Sequence, residues 1–259
     1  MNTKKTQKPE KSEEKESLHK TYNIPQSLVK INLFTIGITN ATQKEVLEYI
    51  KNMFQKTQKK LVITTPNPEI IMLAQKNKRL KKALNEANLA LPDGVGLLWA
   101  SRFLGKPLQA RIIGTDFMEI LCKESRDWPI TIGFLGGRPG VAEKTSECLQ
   151  QKYPGLKVGF AGEKLETGSL MPLDILFVAY GAPKQEIWMM DNISTLPVRM
   201  MMGVGGAFDQ IVDRSLRPPK FIHQIGVGWL YRLIREPWRI KRQLTLIEFI
   251  FLVLRERFL

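Results

Sequence analysis

Short apolar runs alternate with helical patterns along most of the chain, and this alternation constrains the fold more than any other feature. The runs typical of buried strands are Ile31–Gly37, Leu61–Thr64, Leu89–Pro92, Ile130–Leu135, Leu156–Phe160, Asp174–Ala179 and Val198–Val204. The clearest helical patterns between them are Pro68–Ala87, Gly114–Glu124, Gly140–Lys152 and Pro183–Ile193. Because repeated strand–helix–strand units place consecutive strands parallel, the sequence predicts an α/β fold with a mostly parallel sheet and helices on both faces.

The two ends of the chain differ in composition from this central part, residues 26–213. Residues 1–25 are rich in Lys, Glu and Ser and almost lack apolar side chains, which predicts a disordered charged tail. Residues 214–259 hold ten Lys and Arg against three Glu, and so supply +7 of the chain's net charge of +14. Bulky apolar residues such as Trp229 and Phe251 lie among these charges.

This mixture in residues 214–259 favours a basic amphipathic appendage that lies on a membrane surface. The apolar run around Phe251 is too short to span a bilayer. The alternative is a pair of helices that pack on the core and expose a solvated basic face. An exposed apolar patch here would serve self-association as well as membrane contact, so the sequence leaves a homo-oligomer open.

Composition excludes several classes of protein. Two Cys and two His in 259 residues are too few for a disulfide framework, and they make a His-based zinc site or a Ser-His-Asp triad improbable. No apolar stretch follows the charged N-terminus, so we expect a cytoplasmic protein. The net charge of +14 indicates an anionic partner: nucleic acid, a phosphorylated substrate or a membrane surface.

Candidate site residues follow the predicted strands, because ligands of parallel sheets bind at the carboxyl ends of the strands. Thr65 and Asn67 follow the second run, and a helix N-cap role would also explain Asn67. Asp93, between Pro and Gly, is the best candidate for a general base. A turn or cap role for Asp93 is the alternative.

Further candidates come from the later strand ends and one loop. Gly136 opens a glycine-rich turn that would let backbone amides approach a phosphate. Gln185 is expected to be exposed at the mouth of a helix, and Asp209, after Gly205, would accept hydrogen bonds from a ribose or a base or act as a cap. Arg111 lies in a loop where it could meet a diphosphate.

No metal site or cofactor is expected. The chain has no Asp-x-Asp sequence and no cluster of His or Cys that would hold a divalent ion. The run from Gly203 to Phe208 lacks the third glycine of the dinucleotide fingerprint, which argues against bound NAD. Arginines, lysines and backbone dipoles would then have to stabilise the charge that develops on a leaving group.

Seven motifs, in order, resemble the WecG/TagA/CpsF glycosyltransferases. They are TPNPE from Thr65, LPDGVG from Leu91, RIIGTDF from Arg111, FLGGRPGV from Phe134, GAPKQEIW from Gly181, GVGGAFD from Gly203 and WLYRLIREPWRIKR from Trp229. The resemblance implies a Rossmann-like core and an inverting, metal-independent transfer of an N-acetylmannosamine-type sugar from a UDP-sugar. The implied acceptor is undecaprenyl-diphosphate-linked GlcNAc, and the implied setting is cell-surface polymer synthesis on the inner face of the plasma membrane.

The resemblance also implies residue roles. Asp93 matches the family's proposed base, and Thr65 matches a neighbouring pocket residue. Arg111 and Gln185 match residues around the donor, and Asp209 matches the expected nucleoside position. The basic residues that match the family's appendage are Arg232, Arg239 and Arg242.

This chain departs from the family pattern in two places. The stretch Gly162–Leu173 is shorter than usual and lacks the family's aromatic loop and helix, and Gly228 stands where an acidic residue commonly precedes Trp229.

Two other classes of function remain as alternatives. The charge would suit a nucleic-acid-binding protein, but the basic residues lie among bulky aliphatic residues and not among aromatic residues that would stack on bases. A nicotinamide-dependent oxidoreductase would need the glycine fingerprint that is broken here. The sequence favours the glycosyltransferase, with no nucleic acid among its partners.

Overall fold

The computed structural model of the protein describes residues 28–125, 127–165, 171–219, 222, 228–237 and 240–258, without the side chains of residues 232 and 241–243. The predicted tail, residues 1–25, lies outside these ranges. So does Arg239, together with the middle of the short stretch from Gly162 to Leu173.

The chain enters the fold through a β-hairpin, where the sequence had indicated one strand over Ile31–Gly37. Strand β1 (Lys30–Leu33) pairs antiparallel with β2 (Ile36–Thr39). The turn between them places Phe34 and Thr35 at positive φ (54° and 63°). The prediction of one strand was wrong because the apolar run continues through the turn, where Phe34 is buried and 3% exposed.

A parallel sheet of six strands forms the centre of the fold, which confirms the predicted α/β class. In chain order the strands are β3 (Leu61–Thr64), β4 (Leu89–Ala90), β5 (Thr131–Gly136), β6 (Lys157–Gly162), β7 (Leu173–Ala179) and β8 (Val198–Gly203). They lie side by side in the order β4-β3-β8-β7-β5-β6. All five pairings are parallel, so the carboxyl ends of all six strands meet at one edge.

Helices connect and cover the strands. They are α1 (Gln43–Lys56), α2 (Pro68–Lys76), α3 (Lys78–Glu86), α4 (Val95–Phe103), α5 (Gly114–Glu124), α6 (Val141–Lys152), α7 (Lys184–Asn192), α8 (Ala207–Val212), α9 (Gly228–Arg235) and α10 (Ile240–Phe258). A 3₁₀ turn, Arg214–Leu216, follows α8. None of the described helices is long and apolar enough to cross a membrane.

The single helix predicted over Pro68–Ala87 is two helices that meet at Asn77. Asn77 has extended backbone angles, and its side-chain oxygen accepts a hydrogen bond from the amide of Leu80 at 3.1 Å. It therefore ends α2 and caps α3. The first amides of a helix have no hydrogen-bond acceptor within the helix, and an Asn side chain at the N-cap supplies one. The apolar periodicity of the two helices is continuous enough to conceal this break.

The sheet is buried on both faces, as expected for parallel strands. In β7, Ile175 and Phe177 face a cluster that includes residues of α1, α5 and α6. Leu176 and Val178 face the opposite way, towards a cluster that includes Met189 of α7. The alternation follows from the two-residue period of a strand.

The C-terminal helix α10 packs on the core with one face only. Phe249, Leu252 and Val253 are buried in a cluster with residues of the hairpin, α2 and α4. The ring of Phe249 meets that of Phe34 edge-on, with centroids 5.4 Å apart. One face of α10 therefore packs as the second interpretation of this segment expected, while Phe251, on its other face, is 68% exposed.

Candidate active site

A cavity of about 690 Å³ lies at the carboxyl ends of four neighbouring strands, β4, β3, β8 and β7. The loops that leave these strands form its floor. The order of the strands therefore decides which of the predicted site residues lie in the same cavity. Those that line it are Thr65, Asn67, Asp93, Arg111, Gln185 and Gly205. The described part of the chain contains no group of three or more His, Cys, Asp and Glu that could hold a metal ion.

Asp93 is held between the end of β4 and the start of α5. Its amide donates to the carbonyl of Pro66 at 2.9 Å, and its carboxylate accepts from the amide of Gly114 at 3.5 Å. Burial raises the pKa of Asp93 to about 6, although the Gly114 amide and the charge of Arg111 oppose the rise. A carboxylate with this pKa is ionised at neutral pH and more basic than an exposed one, which suits a general base.

Thr65 and Gly114 form the wall beside Asp93. The Thr65 hydroxyl is buried and donates to the carbonyl of Gly203 at 3.0 Å, so it links the ends of β3 and β8. A Cβ at Gly114 would come within 3.3 Å of the Thr65 methyl group. Glycine at position 114 therefore lets the start of α5 pack closely against Thr65.

Asn67 serves as the N-cap of α2, as its alternative interpretation expected. Its side-chain oxygen accepts from the amide of Ile70 at 3.0 Å. Asn67 also lines the cavity. The cap role and a binding role are compatible, because they use different atoms of the side chain.

Gln185 is buried and 2% exposed, so the expectation that it lies exposed at a helix mouth was wrong. Its side-chain oxygen accepts from the amides of Gly205 at 3.0 Å and Gly181 at 3.2 Å. The loops after β7 and β8 thereby converge on one amide group. Packing of α7 against the sheet buries Gln185, and helix periodicity alone did not reveal this.

Glu186, beside Gln185, is a buried acidic residue that the sequence did not indicate. It is fully buried, and one of its carboxylate oxygens accepts from the Gln185 amide nitrogen at 2.9 Å. The other oxygen has no hydrogen-bond partner. Burial raises the pKa of Glu186 above its ordinary value. The contact orients the Gln185 amide so that its oxygen faces the two glycine amides.

Gly136 and Asp209 lie outside the set of residues that line this cavity. Gly136 ends β5, one strand beyond the four that form the floor, and has φ of 99° beside the ring of Tyr180. Asp209, on α8, pairs with Arg138 at 2.8 Å. The roles predicted for both in donor binding stay predictions, as do those of Arg232 and Arg242, whose side chains are outside the described part.

Arg217 joins the start of the C-terminal segment to α5, the helix whose first amide contacts Asp93. It pairs with Asp116 at 2.5 Å and also with Glu119. Glu119 additionally accepts from Lys152 and from the Tyr153 hydroxyl. Burial favours a higher pKa for Glu119, but Lys152 and Arg217 outweigh it and hold that pKa below its ordinary value.

Apolar side chains of three helices also line the cavity: Trp99 of α4, Trp229 of α9 and a strip of α10. The family resemblance implied that the C-terminal segment helps complete the site, but the sequence did not single out these side chains. The residues of the α10 strip are Leu246, Phe249 and Ile250. The signal that could have revealed the strip is the sequence of α10, which is apolar on more than one side at helical spacing.

A cavity at the carboxyl ends of a parallel sheet is the place where α/β proteins bind their ligands. The sequence model of the glycosyl transferase WecG/TagA/CpsF family matches residues 31–259. The chain therefore belongs to this family and is a glycosyltransferase.

Three relatives of this chain carry the name N-acetylglucosaminyldiphosphoundecaprenol N-acetyl-beta-D-mannosaminyltransferase. The protein of this name from Bacillus spizizenii is 30% identical over 217 residues, covering 81% of this chain and 84% of its own length. That from Bacillus subtilis is 28% identical, covering 86% and 91%. That from Staphylococcus aureus strain MRSA252 is 30% identical, covering 82% and 87%.

Proposed function

We propose that this glycosyltransferase moves N-acetylmannosamine from a UDP-sugar to a GlcNAc that is linked through a diphosphate to undecaprenol. The observation that carries the proposal is the position of Asp93, in a cavity with Arg111, at the ends of four adjacent strands. The names of the relatives supply the transferred sugar and the acceptor. The product would serve the synthesis of a cell-surface polymer such as teichoic acid.

Asp93 acts as the general base in this reaction. Its carboxylate takes the proton of the acceptor hydroxyl as that oxygen attacks the anomeric carbon of the donor. The new bond joins the acceptor oxygen to the anomeric carbon, and the bond from that carbon to the diphosphate breaks. The electron pair leaves with UDP. The β product in the relatives' name agrees with a single inverting displacement of an α-linked donor.

Positive groups of the protein meet the charge of the departing UDP, so the reaction needs no metal ion. Arg111 lies in the cavity, and its charge acts on Asp93. The amides at the start of α5 point into the same region, where a helix N-terminus favours an anion. Arg232, Arg239 and Arg242 of the appendage are proposed to join them.

The C-terminal segment brings the site to the inner surface of the plasma membrane. Of the fourteen large apolar side chains that are exposed among the described residues, ten belong to α9 and α10. Basic residues of the same helices, such as Arg255 and Arg257, favour an anionic surface. The lipid of the acceptor stays in the bilayer, so an enzyme that acts on it has to meet the bilayer surface.

The assay that tests this function is transfer from UDP-N-acetylmannosamine to GlcNAc-diphospho-lipid by the purified full chain. We expect Asp93→Asn to lower the rate at least ~10²-fold, because the base is lost. Asp127→Asn, which changes an exposed aspartate in the turn after α5, is the matched control and should keep the wild-type rate. A folded Asp93→Asn variant with near-normal turnover would contradict the assignment.

The same assay tests the donor and the metal. UDP-N-acetylmannosamine should compete more strongly than UDP-N-acetylmannosaminuronic acid or UDP-glucose, and excess chelator should leave the rate unchanged. Preference for another donor would correct the sugar alone. Loss of transfer with chelator, restored by a divalent ion, would show that the arginines and amides are not sufficient.

A further inference from the structure

Two chemically different groups of side chains line the cavity. Asp93, Arg111 and Asn67 contribute charged and amide groups. Helices α4, α9 and α10 contribute apolar side chains, of which Trp99 and Ile250 are 44% and 46% exposed. This mixed lining suits an amphiphilic ligand, which has a polar head and an apolar part.

Helical geometry shows how the cavity-lining residues of α10 lie relative to its exposed and buried faces. At 3.6 residues per turn, Ile247, Phe251 and Leu254 share one face, and all three are exposed. Phe249 and Val253 share the opposite face, which is buried. Leu246 and Ile250, one turn apart, lie at the border between these faces and line the cavity. The border strip connects the interior of the cavity with the exposed apolar face.

Helix α4 also contributes to the lining of the cavity. Val95 and Trp99 line the cavity and are 40% and 44% exposed. Trp99 stacks on Phe103 with ring centroids 5.5 Å apart, and Phe103 in turn meets Phe258 at the end of α10. Helices α4 and α10 therefore contact each other through aromatic rings, and both helices present apolar side chains to solvent.

We propose that the passage between Trp99 and Trp229 on one side and Leu246 and Ile250 on the other binds the first isoprene units of the acceptor lipid. This inference rests on the proposed function, which supplies an acceptor with a diphosphate head and a hydrocarbon chain. The chain would run from the cavity along the α10 border to the bilayer at the exposed face. Large apolar surfaces beside a cavity mark binding sites, and here the polar and apolar lining residues match the head and the chain of the ligand.

The test compares two acceptors in detergent micelles, without a bilayer. Both carry GlcNAc diphosphate, one on a polyprenyl chain and one on a methyl group. Wild-type enzyme should use the polyprenyl acceptor with a kcat/KM at least about tenfold higher, since apolar contacts discriminate by such factors. Trp99→Ser and Ile250→Ser should lower this ratio by about fivefold or more, through the polyprenyl acceptor alone. Both side chains are partly exposed, so the fold should tolerate the changes.

Met171→Ser, which alters an exposed apolar residue just before β7, is the matched control and should keep the wild-type ratio. An unchanged ratio in Trp99→Ser and Ile250→Ser, or an equal loss with both acceptors, would overturn the inference. Equal use of the two acceptors by the wild-type enzyme would overturn it while leaving the proposed function intact. Transfer to neither acceptor would overturn the proposed function and the inference with it.

Discussion

The guanidinium of Arg217 lies 2.5 Å from the carboxylate of Asp116, and this ion pair joins the start of the C-terminal segment to the first turn of α5. The same turn carries Gly114, whose amide faces Asp93. Only one helical turn therefore separates the anchor of the C-terminal segment from the proposed base. The first turn of α5 therefore contacts both the C-terminal segment and Asp93, and no local sequence pattern indicates this.

Arg217→Met should lower the free energy of unfolding by about 1–3 kcal/mol, because Asp116 loses its partner and Glu119 keeps only Lys152 and Tyr153. Urea denaturation measures the change. Arg79→Met, which breaks the exposed pair with Asp191, should cost less than ~1 kcal/mol. Equal losses for the two variants would show that the Arg217 pairs add nothing beyond a surface contact.

The rate of transfer should fall below pH about 6 as Asp93 takes up a proton, because the pKa of Asp93 is raised to about 6. Asp116 contributes to that rise through its negative charge. Asp116→Asn should therefore lower the pKa of Asp93 and move the acid limb of kcat/KM to lower pH. An acid limb that does not move in this variant would place the titrating group elsewhere.

Glu186→Gln should stabilise the protein at neutral and alkaline pH. Burial raises the pKa of Glu186 in the folded state above its unfolded value, so folding favours the protonated form. The stability that this form contributes is present at acid pH and is lost as the pH rises through the folded pKa. Thermal unfolding across the pH range should show a flatter profile in Glu186→Gln, whose amide oxygen can still accept from Gln185.

Glu147→Gln, on the exposed side of α6, is the control for this measurement and should keep the wild-type profile. A Glu186→Gln variant with the wild-type slope would show that folding does not raise the pKa of Glu186.

Phe251→Asp should weaken binding to vesicles that contain anionic lipid without destabilising the fold. Phe251 is 68% exposed on the outer face of α10, so the core loses no contact, while the membrane surface loses an apolar group and gains a repelling charge. Vesicle sedimentation measures the binding. The control is Met171→Asp, which changes a similarly exposed apolar residue outside α9 and α10. Unchanged binding in Phe251→Asp would place the membrane contact elsewhere.

Sequence patterns predicted the elements whose identity depends on near neighbours. Strand β3 and helix α5 begin and end where the apolar runs indicated, at Leu61–Thr64 and Gly114–Glu124. Thr65 and Asp93 could be chosen because they follow apolar runs, and the carboxyl ends of parallel strands meet at one edge. The periodicity of apolar residues, two in a strand and 3.6 in a helix, is a local property of the sequence, so it can be recognised without knowledge of the fold.

What local periodicity could not show were the places where the chain turns or breaks inside an apolar run. Phe34 is buried within the turn of a hairpin, and Asn77 caps α3 within a continuous helical pattern. In both places a single residue changes the backbone direction while the hydrophobic pattern continues. A cap or a turn is decided by hydrogen bonds of a few atoms, which hydrophobicity does not encode.

By itself, therefore, the sequence determined that the chain forms a parallel α/β fold and which residues follow its strands. Only the tertiary structure decided that β4, β3, β8 and β7 are neighbours, and so that Asp93 and Gln185 share a cavity while Gly136 lies beyond it. It also decided that α10 packs one apolar face and exposes another. Strand order and helix docking depend on contacts between residues far apart in the chain, and the free energy of these contacts comes from surfaces that exist only after the elements have formed.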